Sequence, residues 1–378
     1  MVYILLSALS LILATFYFKK ILKNNFKKSL HLPPVVKAWP LVGALYMLTK
    51  DPVNLIRKNY QKYGSVFTIK VLGQSVTLLI GPDVSRHFYT AADSELSQEE
   101  MLKFSVPMFG PGIAYGVSPE KRRQQFQFLT KGLRPQMLRY YIGQTLAEAQ
   151  DYFSKWPDSG TLDLRHELEH LITLTTTRCL LGRDHNAATT AIRTGVFLLQ
   201  NKIYFSKALA EQKAVVHRHG SKIDFDILGE MDVLHRCIKE AIRLGSPTII
   251  TPRYCQKEFM VTTREGKEYK IPKGHIVATS PVMANRLDYL HNDPERYDPD
   301  RYLSTIEKEM SSQLFSDISF GGGRHACPGE AFTYNKLKTI WSYLIRNYEL
   351  DLDSSFPKGE WNGSDKILVH YKRRQLSF

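Results

Sequence analysis

Phe320-Gly321-Gly322-Gly323-Arg324-His325-Ala326-Cys327-Pro328-Gly329-Glu330 is the stretch on which the fold turns. Three glycines and an Arg-His pair lead into one cysteine, and a proline, a glycine and a glutamate follow it. A phosphate-cradling loop would need a Lys-Ser/Thr ending or G-x-G-x-x-G spacing, and neither is present. A free cysteine is often only a buried, inert thiol. A thiolate that ligates haem iron makes further demands. Its loop must approach a flat ring closely, which calls for glycine. Its charge must be held by peptide N–H donors and the positive end of a helix. A helix beginning just after Cys327, with Pro328 at its first position, would supply both. The pattern reads F-x-x-G-x-H-x-C-x-G.

Two features upstream agree with it. Glu240 and Arg243 stand three apart in a helical pattern, so they share a face and can pair. Arg301, in Asp298-Pro299-Asp300-Arg301-Tyr302, is placed to add a second guanidinium to the same carboxylate. In this order, E-x-x-R, the Arg301 segment and the cysteine loop resemble the cytochrome P-450 superfamily, with His325 where most members place Arg. The wording narrows the resemblance. Phe109-Gly110-Pro111-Gly112, Tyr152-Phe153-Ser154-Lys155-Trp156, Glu167-Leu168-Glu169-His170-Leu171, Arg178-Cys179-Leu180-Leu181-Gly182 and Glu230-Met231-Asp232-Val233-Leu234 are similar to plant sterol 14α-demethylases. So are Cys237-Ile238-Lys239-Glu240-Ala241, the run from Ile271 to Pro281 and the ending Tyr371-Lys372-Arg373-Arg374-Gln375-Leu376-Ser377.

The resemblance implies a fold that is mainly α with small β sheets. It implies haem held by Cys327 within a loop shaped by Phe320, Gly323 and Gly329. His325 and Arg253 would face the two propionates, and Tyr115 the haem edge. Glu240, Arg243 and Arg301 would form the structural triad behind the haem. It further implies a sterol or related triterpenoid substrate, molecular oxygen, and electrons from NADPH through a cytochrome reductase. A thiolate ligand favours O–O cleavage.

Against the family pattern the chain is short by roughly a hundred residues. The gap falls near residues 183–186. Arg178 to Arg183 resembles one family segment, and Ala191-Ile192-Arg193-Thr194-Gly195 the second half of the helix that crosses the distal face of the haem. The fold is therefore expected to be incomplete on the distal side, with apolar helix faces left uncovered. Aligned through Thr194-Gly195, the catalytic His-Thr pair of the family meets His185 and Asn186. An Asn amide hydrogen-bonds but does not relay a proton as an alcohol does. Two other readings follow: a truncated, non-catalytic haem-binding or misfolded product, and a haem-thiolate isomerase that needs no external oxygen.

The rest of the chain sets the surroundings. It has 378 residues, 43% hydrophobic and 23% charged, which excludes disorder, collagen and coiled coil as whole-chain classes. Four cysteines are too few for a disulfide scaffold. The net charge of +14 favours an acidic partner or an anionic lipid surface; no nucleic acid is expected. Residues 1–18 are uncharged and mostly apolar, about 27 Å as a helix. Lys19, Lys20, Lys23, Lys27 and Lys28 follow. This reads as a single transmembrane anchor with the body cytosolic, at the endoplasmic reticulum by family. A basic, proline-rich linker over 19–51 leads to a catalytic domain over 52–378. Within it the spacing predicts helices over Pro52 to Tyr63, through Leu138 to Trp156, through Leu164 to Leu174, over Asp226 to Leu244 and after Pro328. A hairpin is expected to turn at Gly73-Gln74, with short strands near 249–254, 259–262 and 367–371. His166-Glu167-Leu168-Glu169-His170 matches H-E-x-x-H, a zinc-protease pattern, but lacks a third ligand and equally fits the apolar stripe Leu164, Leu168, Leu171.

Overall fold

A computed structural model describes residues 32–37, 50–103, 106–112, 116–180, 185–303, 315–353 and 366–374. The proposed anchor, most of the linker and Tyr115 lie outside them. No helix among the described residues is long and apolar enough to cross a membrane. The chain divides into two compact units, one drawn from Met1–Phe104 and Ile250–Met283, the other from Ser105–Ile249 and Ala284–Phe378.

In chain order the main elements are α1 (Pro52–Tyr63), β1 (Val66–Val71), β2 (Gln74–Leu79), α2 (Pro82–Thr90), β3 (Leu96–Ser97), α3 (Pro119–Gly132), α4 (Pro135–Ser154), β4 (Ser159–Asp163), α5 (Leu164–Leu180), α6 (His185–Gln200) and α7 (Lys202–His219). Then come α8 (Phe225–Gly229), α9 (Asp232–Leu244), β5 (Thr251–Cys255), β6 (Phe259–Thr262), β7 (Glu268–Ile271), β8 (Ile276–Thr279), α10 (Glu330–Asn347), β9 (Tyr348–Leu352) and β10 (Leu368–Arg373). The chain is mainly α with small sheets, as expected.

The first unit is built on a sheet ordered β1-β2-β8-β5-β3. α1 starts where Asp51 accepts from the Asn54 amide at 3.1 Å and Pro52 takes the first turn, and it stops at Gly64 with φ 81°. The β1–β2 hairpin pairs Val71 with Gln74, so its turn is Leu72-Gly73, one residue earlier than expected. Both turn residues have positive φ, 49° and 80°, the mirror-image turn that matches strand twist. Pro34 and Val36 of the proline-rich stretch are tied to Thr68 of β1 by backbone bonds of 2.8 Å each.

The second unit buries one large cluster in which Phe153, Leu168, Leu171, Trp341, Leu344 and Tyr348 meet. Each such side chain removed from water contributes about 1.5–3 kcal/mol. α6 and α10 cross closely because Gly195 has no Cβ; one added there would lie 2.5 Å from the Trp341 ring. The indole N–H of Trp341 donates to the Ala191 carbonyl at 3.2 Å across the same crossing. A sheet ordered β4-β10-β9 closes one side.

Two helix boundaries depart from expectation. The pattern over Asp226–Leu244 is two helices, α8 and α9, broken at Glu230-Met231. The break is stabilised from outside: the Glu211 carboxylate on α7 accepts from the Val233 and Leu234 amides at 2.6 and 3.0 Å, a cap that Met231 cannot provide. The last helix starts at Glu330 with Gly329 as its cap residue, and Pro328 lies in the preceding turn rather than at the first helical position.

Candidate functional site

The cysteine loop is a tight return. The Cys327 amide donates to the Phe320 carbonyl at 2.8 Å, and Gly321 N–H to the Ile318 carbonyl at 2.9 Å. Gly321 and Gly323 have φ of 76° and 60°, conformations that L side chains rarely adopt. Gly329 places no side chain against the sulfur; a Cβ there would lie 3.6 Å from Cys327 Sγ. Phe320 packs on Tyr334 of α10 with centroids 5.5 Å apart. Cys327 is exposed and lines a cleft of about 710 Å³ with Phe320, Glu330, Tyr334, His235 and Lys239. The other three cysteines differ. Burial pushes the Cys237 thiol up to about 12 and the Cys255 thiol up to about 11, and it raises Cys179 as well. Only Cys327 offers an accessible thiol at the foot of a helix.

The structure brings Glu240, Arg243 and Arg301 into contact. Glu240 is fully buried, and both its oxygens are engaged. Arg243 binds it as a fork, Nε to Oε2 at 2.8 Å and Nη2 to Oε1 at 2.7 Å. Arg301 Nε adds 2.9 Å to Oε1. Two partners were not anticipated: the Asp298 amide at 3.0 Å and the Tyr302 hydroxyl at 3.0 Å. Further guanidinium hydrogens go to carbonyls. Arg243 reaches those of Asn285, Pro294 and Arg296, and Arg301 those of Asn292, Asp293 and Arg296. Burial pushes the Glu240 carboxyl up, but the hydrogen bonds and charges of Arg243 and the charge of Arg301 outweigh it and hold it below its usual value. The clasp fixes the irregular segment 285–298, and the short 3-10 helix Pro299–Leu303 after it, to α9.

The other predicted residues are dispersed. Arg253 sits in the first unit on β5, buried rather than on the surface. It donates to the Phe88 carbonyl, with its guanidinium 4.2 Å from the Phe88 ring centroid. His325 closes the short turn Gly323–His325 and is half-buried. His185 and Asn186 form the start of α6. In the H-E-x-x-H segment, Glu167 accepts from Tyr152 and Trp156 at 2.8 and 3.1 Å, and the His166 and His170 rings lie 6.3 Å apart. No cluster of three His, Cys, Asp or Glu placed to hold a metal occurs among the described residues. That motif is a packed helix.

The profile of the cytochrome P450 family matches residues 33–194 and 185–378. The chain belongs to the cytochrome P450 family. It is 39% identical over 479 aligned positions to an obtusifoliol 14-alpha demethylase of Sorghum bicolor, covering 98% of this chain and 97% of the relative. It is 40% identical over 473 positions to a sterol 14-demethylase of Arabidopsis thaliana, covering 97% of both. It is 25% identical over 447 positions to a lanosterol 14-alpha demethylase of Homo sapiens, covering 90% and 86%. About a hundred positions of the plant alignments have no counterpart here, and the two family matches meet at residues 185–194.

By family the protein is a haem-thiolate monooxygenase supplied with electrons by a reductase partner. Its residues fit the group. An exposed soft sulfur stands on a glycine loop against a helix start, and the three remaining thiols are at least half-buried with raised pKa.

Two histidines of the second unit give the protein an acid limit. Burial, then the charges of Arg243 and Arg301, push His291 down to about 4, with Glu240 and Asp317 opposing. Burial, then Lys338 and Lys239, push His235 down to about 4, with Asp232 opposing. In the unfolded chain both take up protons near pH 6.5. The unfolded state therefore binds more protons below that pH, and stability falls as pH drops from about 6.5 toward 4, by up to about 3 kcal/mol per histidine. Urea midpoints should decline through this window and decline less in His291→Gln. A flat profile between pH 6.5 and about 5.5, above the range where carboxylates titrate, would overturn the assignment.

Proposed function

We propose that this chain is a membrane-bound haem-thiolate monooxygenase that oxidises a sterol or a related triterpenoid, with Cys327 as the proximal ligand. The observation that carries the reading is the accessible Cys327 thiol on its glycine loop, in a chain that matches plant sterol demethylases over nearly its whole length.

Haem held there supplies oxygen activation, the thiolate favouring O–O cleavage. Cys327 gives the sulfur, and the loop bonded from Phe320 and turned at Gly321 and Gly323 fixes where it stands. The Arg253 guanidinium and the His325 ring N–H are donors suited to carboxylates. Asn186, at the start of α6, is assigned to the distal side with His185. An amide there orients a hydrogen bond without passing a proton, so proton delivery is expected to be slow. The basic surface suits an acidic electron donor and anionic lipid. The anchor over 1–18 and the linker over 19–51 would hold the body, 52–378, at the cytosolic face of the endoplasmic reticulum membrane.

We infer further that the family fold lacks a block at 183–186. The two overlapping family matches support this, and so does α3, which buries none of its described side chains and leaves Phe128 79% exposed. The test is the carbon monoxide difference spectrum of the reduced full-length chain, followed by titration with 14-methyl sterols. A red-shifted, thiolate-type Soret band that responds to sterol is the expected result. No haem, or only the unshifted band, would mean that the missing block has broken the site and that the truncated, non-catalytic reading holds. Sterol turnover without reductase would favour the isomerase.

A further inference from the structure

Asn285 stands at a junction that the family motifs do not include. It follows the short helix Pro281–Ala284 and is fully buried. Its carbonyl accepts from Arg243 Nη1 at 2.9 Å, so its backbone is part of the clasp on Glu240. Its side chain points the other way along the chain. Nδ2 donates to Ser319 Oγ at 2.8 Å, and Oδ1 accepts from the Ile318 amide at 3.4 Å. The next bonds are those of the cysteine loop itself: Gly321 N–H to the Ile318 carbonyl, then Cys327 N–H to the Phe320 carbonyl.

We propose that Asn285 is a positioning residue for Cys327, transmitting the rigidity of the Glu240–Arg243–Arg301 clasp to the loop that presents the sulfur. The inference rests on the haem-thiolate reading for its functional meaning. The side chain meets a specific demand. One site needs an acceptor for a backbone N–H and the other a donor for a hydroxyl, and a carboxamide offers both at once. Leucine would leave the Ile318 amide and Ser319 Oγ without this partner. Aspartate would add a buried charge, and glutamine an extra methylene where no side-chain surface is exposed. Coupling between clasp and sulfur runs through three hydrogen bonds, Arg243 to Asn285, Asn285 to Ser319 and Cys327 to Phe320, and one covalent step from Ser319 to Phe320.

The experiment is amide hydrogen exchange on haem-free protein, read by mass spectrometry for peptides covering 316–330. Asn285→Leu should speed exchange of the Gly321 and Cys327 amides about tenfold or more, the change expected from losing one buried hydrogen bond. Exchange in the β4-β10-β9 sheet should stay unchanged. Ser319→Ala removes only the Nδ2 contact and serves if Asn285→Leu does not fold. It should give a smaller effect of the same kind, and that effect should vanish in the Asn285→Leu background. In haem-loaded protein, both variants should raise the share of the reduced carbon monoxide complex in the unshifted band. Unchanged exchange at Cys327 in Ser319→Ala, or a uniform rise across the whole unit, would overturn the proposal. If the exchange coupling appears while the wild type forms no thiolate-type band, the positioning role stands and the haem reading fails.

Discussion

Cys327→Ser is expected to abolish the thiolate-type Soret band completely and to reduce sterol turnover below detection, while unfolding free energy changes by less than about 1 kcal/mol. The two halves have separate causes. The Cys327 side chain is exposed, so replacing its sulfur leaves no cavity in the core. A serine hydroxyl cannot offer the soft, charged donor that haem-thiolate chemistry requires. Cys237→Ser should behave in the opposite way. That thiol is fully buried in the core cluster of the second unit, where a hydroxyl would be forced into apolar surroundings. It should lose stability and keep the spectrum. Measuring both variants by urea unfolding and by the reduced carbon monoxide spectrum separates a ligand from a structural thiol. A thiolate-type band surviving in Cys327→Ser would remove this residue, and with it the proposed site, from consideration.

What could be read from the sequence was local or marked by rare residue spacing. The cysteine loop, E-x-x-R, the Arg301 segment and α1 with its Pro52 start each carry their signal within a few residues. What escaped depends on partners far away in the chain. α8 and α9 share one apolar stripe, and only the Glu211 carboxylate on α7 shows why the helix restarts at Asp232. β4 reads Ser-Gly-Thr-Leu-Asp, with little strand character, and exists because β10 pairs with it. A Cβ at Gly160 would lie 3.0 Å from the Tyr371 hydroxyl, so any larger residue there would have to push that ring aside. In the triad, the carboxylate and both guanidinium groups were legible. Tyr302 and the Asp298 amide were not, since a ring and a peptide group next to a recognised arginine carry no pattern of their own. Asn285 escaped for the same reason: its role lies in two contacts more than thirty residues away.

Glu240→Gln should cost about 3–5 kcal/mol, because it leaves two buried guanidinium groups facing an uncharged amide. That is a large part of the 5–15 kcal/mol typical of a whole domain. The side chains of Arg243 and Arg301 are 2% and 3% exposed, so neither can turn to water for its missing counter-charge. Their other hydrogens are committed to backbone carbonyls between Asn285 and Arg296, and that segment has no regular element to hold it. Loosening it should therefore be felt at the cysteine loop as lower haem occupancy. Arg243→Lys is the informative companion. It keeps the charge but gives up the fork and the reach to three carbonyls, so it should fall between wild type and Glu240→Gln. Urea unfolding with haem content measured on the same samples provides the check. A loss under about 1 kcal/mol in Glu240→Gln would mean that the carboxylate is not what closes the clasp. The carbonyl ring around the two arginines would then be the better account of why this segment holds its shape.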